Sequence, residues 1–137
     1  MGPKRILSHR EERATHVRYL AKAEEFLRSA LENVAGRRWN AAALSAIHAG
    51  IAAADAVLVF ERGIRSVSQR HEDVLDLLVG SGSDRSSALA HLRRILARKN
   101  AVEYESRLFR QREADEVVQH AERFLAWART RVRPAAP

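Results

Sequence analysis

The sequence predicts an all-α fold of five helices in a mostly antiparallel, up-and-down bundle. Three observations carry that expectation. Two long segments repeat apolar residues at the three-and-four spacing of a helix face, another is apolar on nearly every side, and the joints between segments are short runs rich in glycine or serine. Strand-like alternation, a glycine-rich phosphate loop and an internal repeat period are not visible. At 137 residues the chain is long enough to bury one hydrophobic core, so a single domain over 1–137 is expected, with its core over about 9–132 and short flexible ends.

The first helix follows from Val17, Leu20, Ala23, Leu27, Ala30, Leu31 and Val34, which share one face between the polar stretches "REER", "AKAEE" and "RS". Gly36 is expected to close it in a left-handed conformation, and Asn40 to start the next helix by accepting backbone N–H groups. From Asn40 to Arg62 the run lacks a polar face, which predicts a central helix covered by the others and stopped by Gly63. Its alanines and Gly50 would let neighbouring helices approach closely. "GIRSVSQR" has no period and reads as a loop. "HEDVLDLLV" predicts a short helix that starts near Ser68 or Gln69 and turns Val74, Leu77 and Leu78 inward. "GSGSD" is a turn, after which Ser83 or Asp84 can cap a fourth helix with Ala88, Leu89, Leu92, Ile95 and Leu96 inside. The fifth helix places Ala114, Val118, Ala121, Leu125, Ala128 and Val132 on one face with Phe124 beside them, and "RPAAP" ends it because proline cannot continue a helix.

Composition narrows the chemistry. There is no cysteine, so disulfides and thiolate metal sites are excluded and any nucleophile would be Ser, Thr or an activated water. The longest apolar stretch, "AIHAGIAAADAVLVF", reads as too short and too interrupted by His48 and Asp55 to span a bilayer, and "MGPKRILSHREER" has no signal-type apolar region. A soluble cytoplasmic protein with no membrane association is the expectation. The balance of 24 Lys plus Arg against 17 Asp plus Glu gives a net charge of +7, which favours anionic partners. Only Lys4, Lys22 and Lys99 are lysines, however, so the arginine and alanine bias also reads as the codon usage of a GC-rich bacterium.

His48 and Asp55, seven residues apart, share one face of the apolar helix, and both need partners there. They can serve as satisfied core or interface groups, or Asp55 can orient a cationic side chain from another helix, for which Arg98 is the best candidate because arginine keeps its charge when partly buried. His71, Glu72 and Asp73 are adjacent and point in different directions, and no paired His-x-x-x-His spacing occurs, so neither a metal nor a cofactor is expected. His9, His16, His91 and His120 occupy polar positions and read as solvated, while Trp39 and Trp127 read as packing anchors. In "ARKNAVEYES", Arg98 has the chemistry of an anion clamp, Asn100 that of a neutral orienter and Tyr104 that of a hydroxyl donor. In an unbroken helix the six-residue step from Arg98 to Tyr104 would set them about 120° apart. The alternative is a basic helix end, with Arg98 and Lys99 complementing the helix dipole.

Three segments together resemble the HEPN superfamily of small helical-bundle proteins over roughly residues 17 to 130. They are "YLAKAEEFLRSALENVAGRRWNAAALSAIHAGIAAADAVL", similar to the opening helix pair, "RHEDVLDLL", similar to a short helix led by His, and "RKNAVEYES" followed by "ADEVVQHAERFLAWA". The resemblance implies a homodimer with two signatures facing one cleft. In active members, metal-independent ribonucleases often paired with antitoxins, the signature is Arg, commonly followed by Asn, then His four to six residues after the Arg. Here Arg98 matches the Arg and Asn100 is a displaced Asn, but Glu103 or Tyr104 stands where His belongs. Tyrosine, with a pKa near 10, is a poor base at neutral pH. The resemblance therefore implies a non-catalytic or weakly catalytic dimer binding RNA, a nucleotide or a protein partner in a cleft with Arg98, Asn100 and Tyr104, to which the reading of the apolar helix adds Asp55 and His48 as candidate binding residues. The alternatives are an endoribonuclease toxin of a toxin-antitoxin system, with an antitoxin-like protein partner and Arg98 and Tyr104 as catalytic residues, and a purely structural interaction module.

Overall fold

Helix α2 organises the molecule because it has no face suited to water. In a computed structural model that describes residues 7–67 and 72–132, the elements run β1 (Ser8–Arg10), a 3-10 turn (Arg13–Thr15), α1 (His16–Ala35), α2 (Trp39–Arg62), β2 (Ile64–Ser66), α3 (Glu72–Leu78), α4 (Ser83–Ala97), α5 (Lys99–Tyr104) and α6 (Gln111–Arg131). From Ala42 to Val59, α2 is buried on most positions, including Ala46, Ile47, Ala53, Val57 and Leu58. Helices α1, α4 and α6 lie against it, each contributing an apolar stripe: Ala23, Leu27 and Ala30 from α1, Leu92 and Ile95 from α4, Val118, Phe124 and Leu125 from α6. The expected all-α, up-and-down bundle is what forms.

Side-chain pairings fix the helix directions. Arg85 near the start of α4 meets Glu61 near the end of α2, so these two run antiparallel. Arg131 at the end of α6 reaches the same Glu61, while Phe109, just before α6, donates its N–H to Asn40 at the start of α2 (3.1 Å), so α6 runs alongside α2 in the same sense. At Gly50 α4 packs close against α2. A Cβ there would lie 3.1 Å from Ile95 Cγ2 and 3.2 Å from its Cδ1. Gly63 stops α2 as expected, at φ 63°, with its N–H on the Val59 carbonyl.

Several local expectations are corrected. Asn40 does not cap α2, which starts one residue earlier; its side-chain oxygen instead holds the loop before α6. Gly36 sits at φ −83°, and the left-handed residue after α1 is Arg37 at φ 60°. Val17 and Leu31 are exposed, because the stripe of α1 that the other helices cover is narrower than its apolar pattern. In α3 the inward residues are Leu75 and Leu78, with Val74 and Leu77 half-buried. The loop after α2 contains a strand: Ile64–Ser66 pairs antiparallel with Ser8–Arg10, His9 opposite Arg65. Three residues are too few to show alternation in a sequence. Ser68, Gln69 and His71 lie outside the described residues. The segment at 97–106 neither continues α4 nor becomes a loop; the chain breaks at Arg98 and re-forms as the short α5.

At 24 residues, with an 18-residue window of mean hydropathy 1.8, α2 is long and apolar enough to cross a membrane by composition, against the sequence expectation. Its most apolar window is 72% buried by the other helices, which accounts for that composition as the core of a bundle.

Burial along α2 is uneven: Leu58 is 1% exposed, whereas Ile51 is half-buried. Leu58→Ala should therefore lower the unfolding free energy by about 2–5 kcal/mol, and Ile51→Ala by clearly less. Urea midpoints compare the two, and equal losses would contradict the assigned faces.

Candidate functional site

Arg98 occupies the break between α4 and α5, its N–H bonded to the Ile95 carbonyl and its own carbonyl accepting from Val102. The break aims its guanidinium at the first turns of α6, where Nη1 lies 3.5 Å from Glu113 Oε2 and Nη2 lies 3.7 Å from Glu116 Oε2. Glu113 is firmly held: it accepts from the Arg110 N–H at 3.1 Å and from Arg107 Nη1 at 2.8 and 2.9 Å. The Arg110 N–H first, then Arg107, keep the Glu113 carboxyl below its usual range, so it stays ionised opposite Arg98. Asn100 and Tyr104 do not converge on this group. Neither hydrogen-bonds Arg98 among the described residues, Asn100 is exposed, and Tyr104 is 77% exposed. Lys99 is tied to Glu103, one turn on, at 2.6 Å.

Asp55 belongs to a different place. It is 5% exposed, and its partner is Arg65 of β2, whose Nε lies 3.3 Å from Asp55 Oδ2; the expected pairing with Arg98 is not formed. The small sheet explains the choice, because pairing with β1 lays Arg65 across the last turns of α2. The Arg65 guanidinium also covers the Tyr19 ring at 5.4 Å, and the Tyr19 hydroxyl donates to Glu11 at 2.5 Å. Burial pushes the Asp55 carboxyl up to about 6, against the opposing pull of Arg65. His48, two turns earlier on α2, is half-buried with its ring tilted against Phe26 at 5.6 Å.

The two groups are separated along α2. Gly50 packs against Ile95 and Leu92, so Arg98, beyond Ile95 on the antiparallel α4, is level with the N-terminal half of α2, while Asp55 points toward the other end. The five residues that the sequence offers as one site are therefore dispersed: Arg98 is held by carboxylates of α6, Asn100 and Tyr104 are exposed and apart from it, His48 makes an aromatic contact and Asp55 a buried ion pair.

Sequence reasoning missed a histidine pair beside Arg98. His91 of α4 and His120 of α6 were expected to be solvated, but their Nδ1 atoms are hydrogen-bonded at 2.9 Å. Such a bond needs one ring to donate and the other to accept, and burial, with nearby arginines, lowers both pKa values so that the neutral forms prevail. Glu116 connects this pair to Arg98, its Oε1 lying 3.8 Å from His120 Nε2. The signal was present in principle: His91 is seven residues before Arg98 and His120 seven after Glu113, so each shares a helix face with a member of the Arg98 cluster. Among the described residues no group of three or more His, Asp or Glu is arranged to hold a metal ion.

Neither a family model nor a curated protein matches this chain. The crystal structure of an archaeal HEPN homologue does: it superposes with a TM-score of 0.64 at 21% identity, covering 86% of this chain and 98% of that one. The fold is HEPN-like, in agreement with the resemblance read from the sequence.

The Asp55 carboxyl gives a signed pH prediction. Its folded pKa is raised, so its contribution to stability is fully present below the unfolded value near 3.8 and is lost as pH rises through about 6. Relative to D55N, the wild type should gain stability as pH falls from about 7 to about 5, and a flat difference would contradict the burial. A double-mutant cycle at neutral pH should couple D55N with R65Q by about 1 kcal/mol or more and leave D55N additive with R98Q.

Proposed function

We propose that this chain is a non-catalytic HEPN-like binding protein that works as a homodimer and engages a protein surface at the end of the bundle carrying Arg98, Asn100 and Tyr104. The observation that carries the reading is the state of Arg98. Its guanidinium faces two carboxylates, Glu113 and Glu116, and no hydroxyl or imidazole hydrogen-bonds to it among the described residues. An anion clamp for a scissile phosphate needs its N–H fork free, and cleavage needs a proton carrier in reach.

The apolar surface supports a protein partner. Along α2 the incompletely buried positions Ala41, Leu44, His48 and Ile51 recur at helical spacing, with Phe26 of α1 alongside His48. Tyr104 and Leu108, both more than three-quarters exposed, stand near the N-terminal end of the same helix, where Phe109 is tied to Asn40. A two-fold pairing of such a stripe is the commonest closed assembly, and the HEPN resemblance implies the same.

A metal-independent endoribonuclease, the activity of active HEPN proteins, is the second reading. One observation favours it: His120 is linked to Arg98 through Glu116, so an imidazole lies close to the arginine although the usual signature His is missing.

Total RNA incubated with the protein in EDTA separates the two readings. Intact RNA is the expected result; cleavage that disappears in both R98A and H120N would establish the nuclease. In light scattering the protein should have twice the 15.4 kDa chain mass. Leu44→Arg should yield a monomer with unchanged helix content, and a wild-type monomer would remove the shared-cleft arrangement.

A further inference from the structure

Across the seam between α4 and α6 two half-buried imidazoles share a single hydrogen bond, His91 Nδ1 to His120 Nδ1 at 2.9 Å. Glu116 divides its carboxylate beside them, with Oε1 3.8 Å from His120 Nε2 and Oε2 3.7 Å from Arg98 Nη2. His91, His120, Glu116 and Arg98 therefore form a chain that crosses from α4 to α6 and returns to the end of α4. The other charged groups facing the rings are Arg94 of α4 and Arg123 of α6. Of the helices packed around this seam, α1 sets Glu24 against Arg129, α2 sets Asp55 against Arg65 and Glu61 against Arg85 and Arg131, and α5 sets Lys99 against Glu103. Helix α3 meets α4 near Arg85, where Leu78 accepts from the guanidinium.

The contact limits how many protons the pair can hold. An Nδ1–H···Nδ1 bond needs one ring to donate and the other to accept, a condition met by two neutral imidazoles and equally by one imidazolium with one neutral ring. The first extra proton belongs on His120 Nε2, which faces Glu116, so that His120 donates through Nδ1 and His91 accepts. A second has to land on the accepting Nδ1 of His91. Two N–H groups would then point at each other across 2.9 Å, and two imidazolium charges would stand beside Arg94 and Arg123. Burial first, then Arg123 and Arg94, holds His91 below the ordinary histidine range; burial and His91 lower His120, with Glu116 pulling the other way.

We propose that His91 and His120 form a pH-sensitive latch between α4 and α6, closed with no more than one extra proton and opened by the second. The same two helices carry Arg98 and its carboxylates, so the latch governs Arg98 as well. The first proton draws Glu116 toward His120, and opening the seam parts Arg98 from Glu113 and Glu116. Acid thus frees a guanidinium fork that the protein itself occupies at neutral pH. Both folded imidazoles bind protons less readily than those of the unfolded chain, so the latch's contribution to stability is fully present above the unfolded value near 6.5 and is lost as pH falls through the lower folded values. The latch is independent of which partner the Arg98 end takes.

Imidazole NMR resonances of the full-length wild type, followed from about pH 8 to about pH 4, test this without any substitution. His120 should take up its proton first and His91 about one pH unit or more below it. R98Q, which leaves Glu116 to His120 alone, should raise the His120 step, and E116Q should lower it. A double-mutant cycle of H91A and H120A, read from urea unfolding, should show coupling of about three- to tenfold in the unfolding equilibrium at about pH 7.5, the scale of one net hydrogen bond, and none or the opposite sign at about pH 4.5. The titration of Asp55 is common to every member of the cycle and cancels. Independent uptake of both protons near the ordinary histidine value would overturn the latch, as would coupling that is the same at both pH values. A His120 step unmoved by R98Q and by E116Q would overturn the link to Arg98.

Discussion

One constraint underlies the whole structure: α2 has to be kept from water on almost every side. A helix of alanine, valine, isoleucine and leucine cannot lie on a surface, so α1, α4 and α6 are each amphipathic on the side that faces it. The small residues of α2 set how near those helices come, as at Gly50, where a Cβ would press on Ile95 of α4. Burying each large side chain along this helix contributes roughly 1.5–3 kcal/mol. Positions of α2 that the other helices do not cover are thereby informative. Those from Ala41 to Ile51 form a stripe, and the stripe ends at Asp55, where the β-strap lays Arg65 over the helix.

The bundle's two ends differ in how their charges are matched. Around Arg98, two guanidinium groups, those of Arg98 and Arg107, meet two carboxylates on α6. Around Glu61, two guanidinium groups share one carboxylate and a third stands beside them. Apart from the largely covered Arg85–Glu61 pair, these ion pairs are partly exposed and stabilise the fold little, so the matching bears mainly on what each end presents to a ligand. The Arg98 end is nearly neutral and flanked by exposed Tyr104 and Leu108; the Glu61 end keeps a positive cleft.

Periodicity made most helix faces legible, although it also turned Val17 and Leu31 of α1 inward where the structure leaves them exposed. Helix α6 turns inward the residues its spacing assigns, and Gly63 ends α2 because only a left-handed residue fits there. Pairings between distant side chains were not legible. Asp55 invited an arginine, but which one depended on a three-residue strand pairing with another three-residue strand, below the length at which alternation can be recognised. His91 and His120 occupy polar-looking positions on separate helices, and only the packing of α4 on α6 brings their rings together. For Arg98 the residue type suggested an anion clamp, whereas its actual partners lie more than a dozen residues away on the next long helix.

Arg98 is occupied by its own protein, through Glu113 and Glu116. The most direct measurement is the affinity of a short single-stranded oligonucleotide for the wild type, for E113Q/E116Q and for the same variant carrying R98Q. If the two carboxylates hold the guanidinium, the wild type binds weakly, E113Q/E116Q binds about tenfold more tightly, and adding R98Q removes the gain. Wild-type binding that already depends on Arg98 and does not change when the two glutamates are neutralised would contradict it.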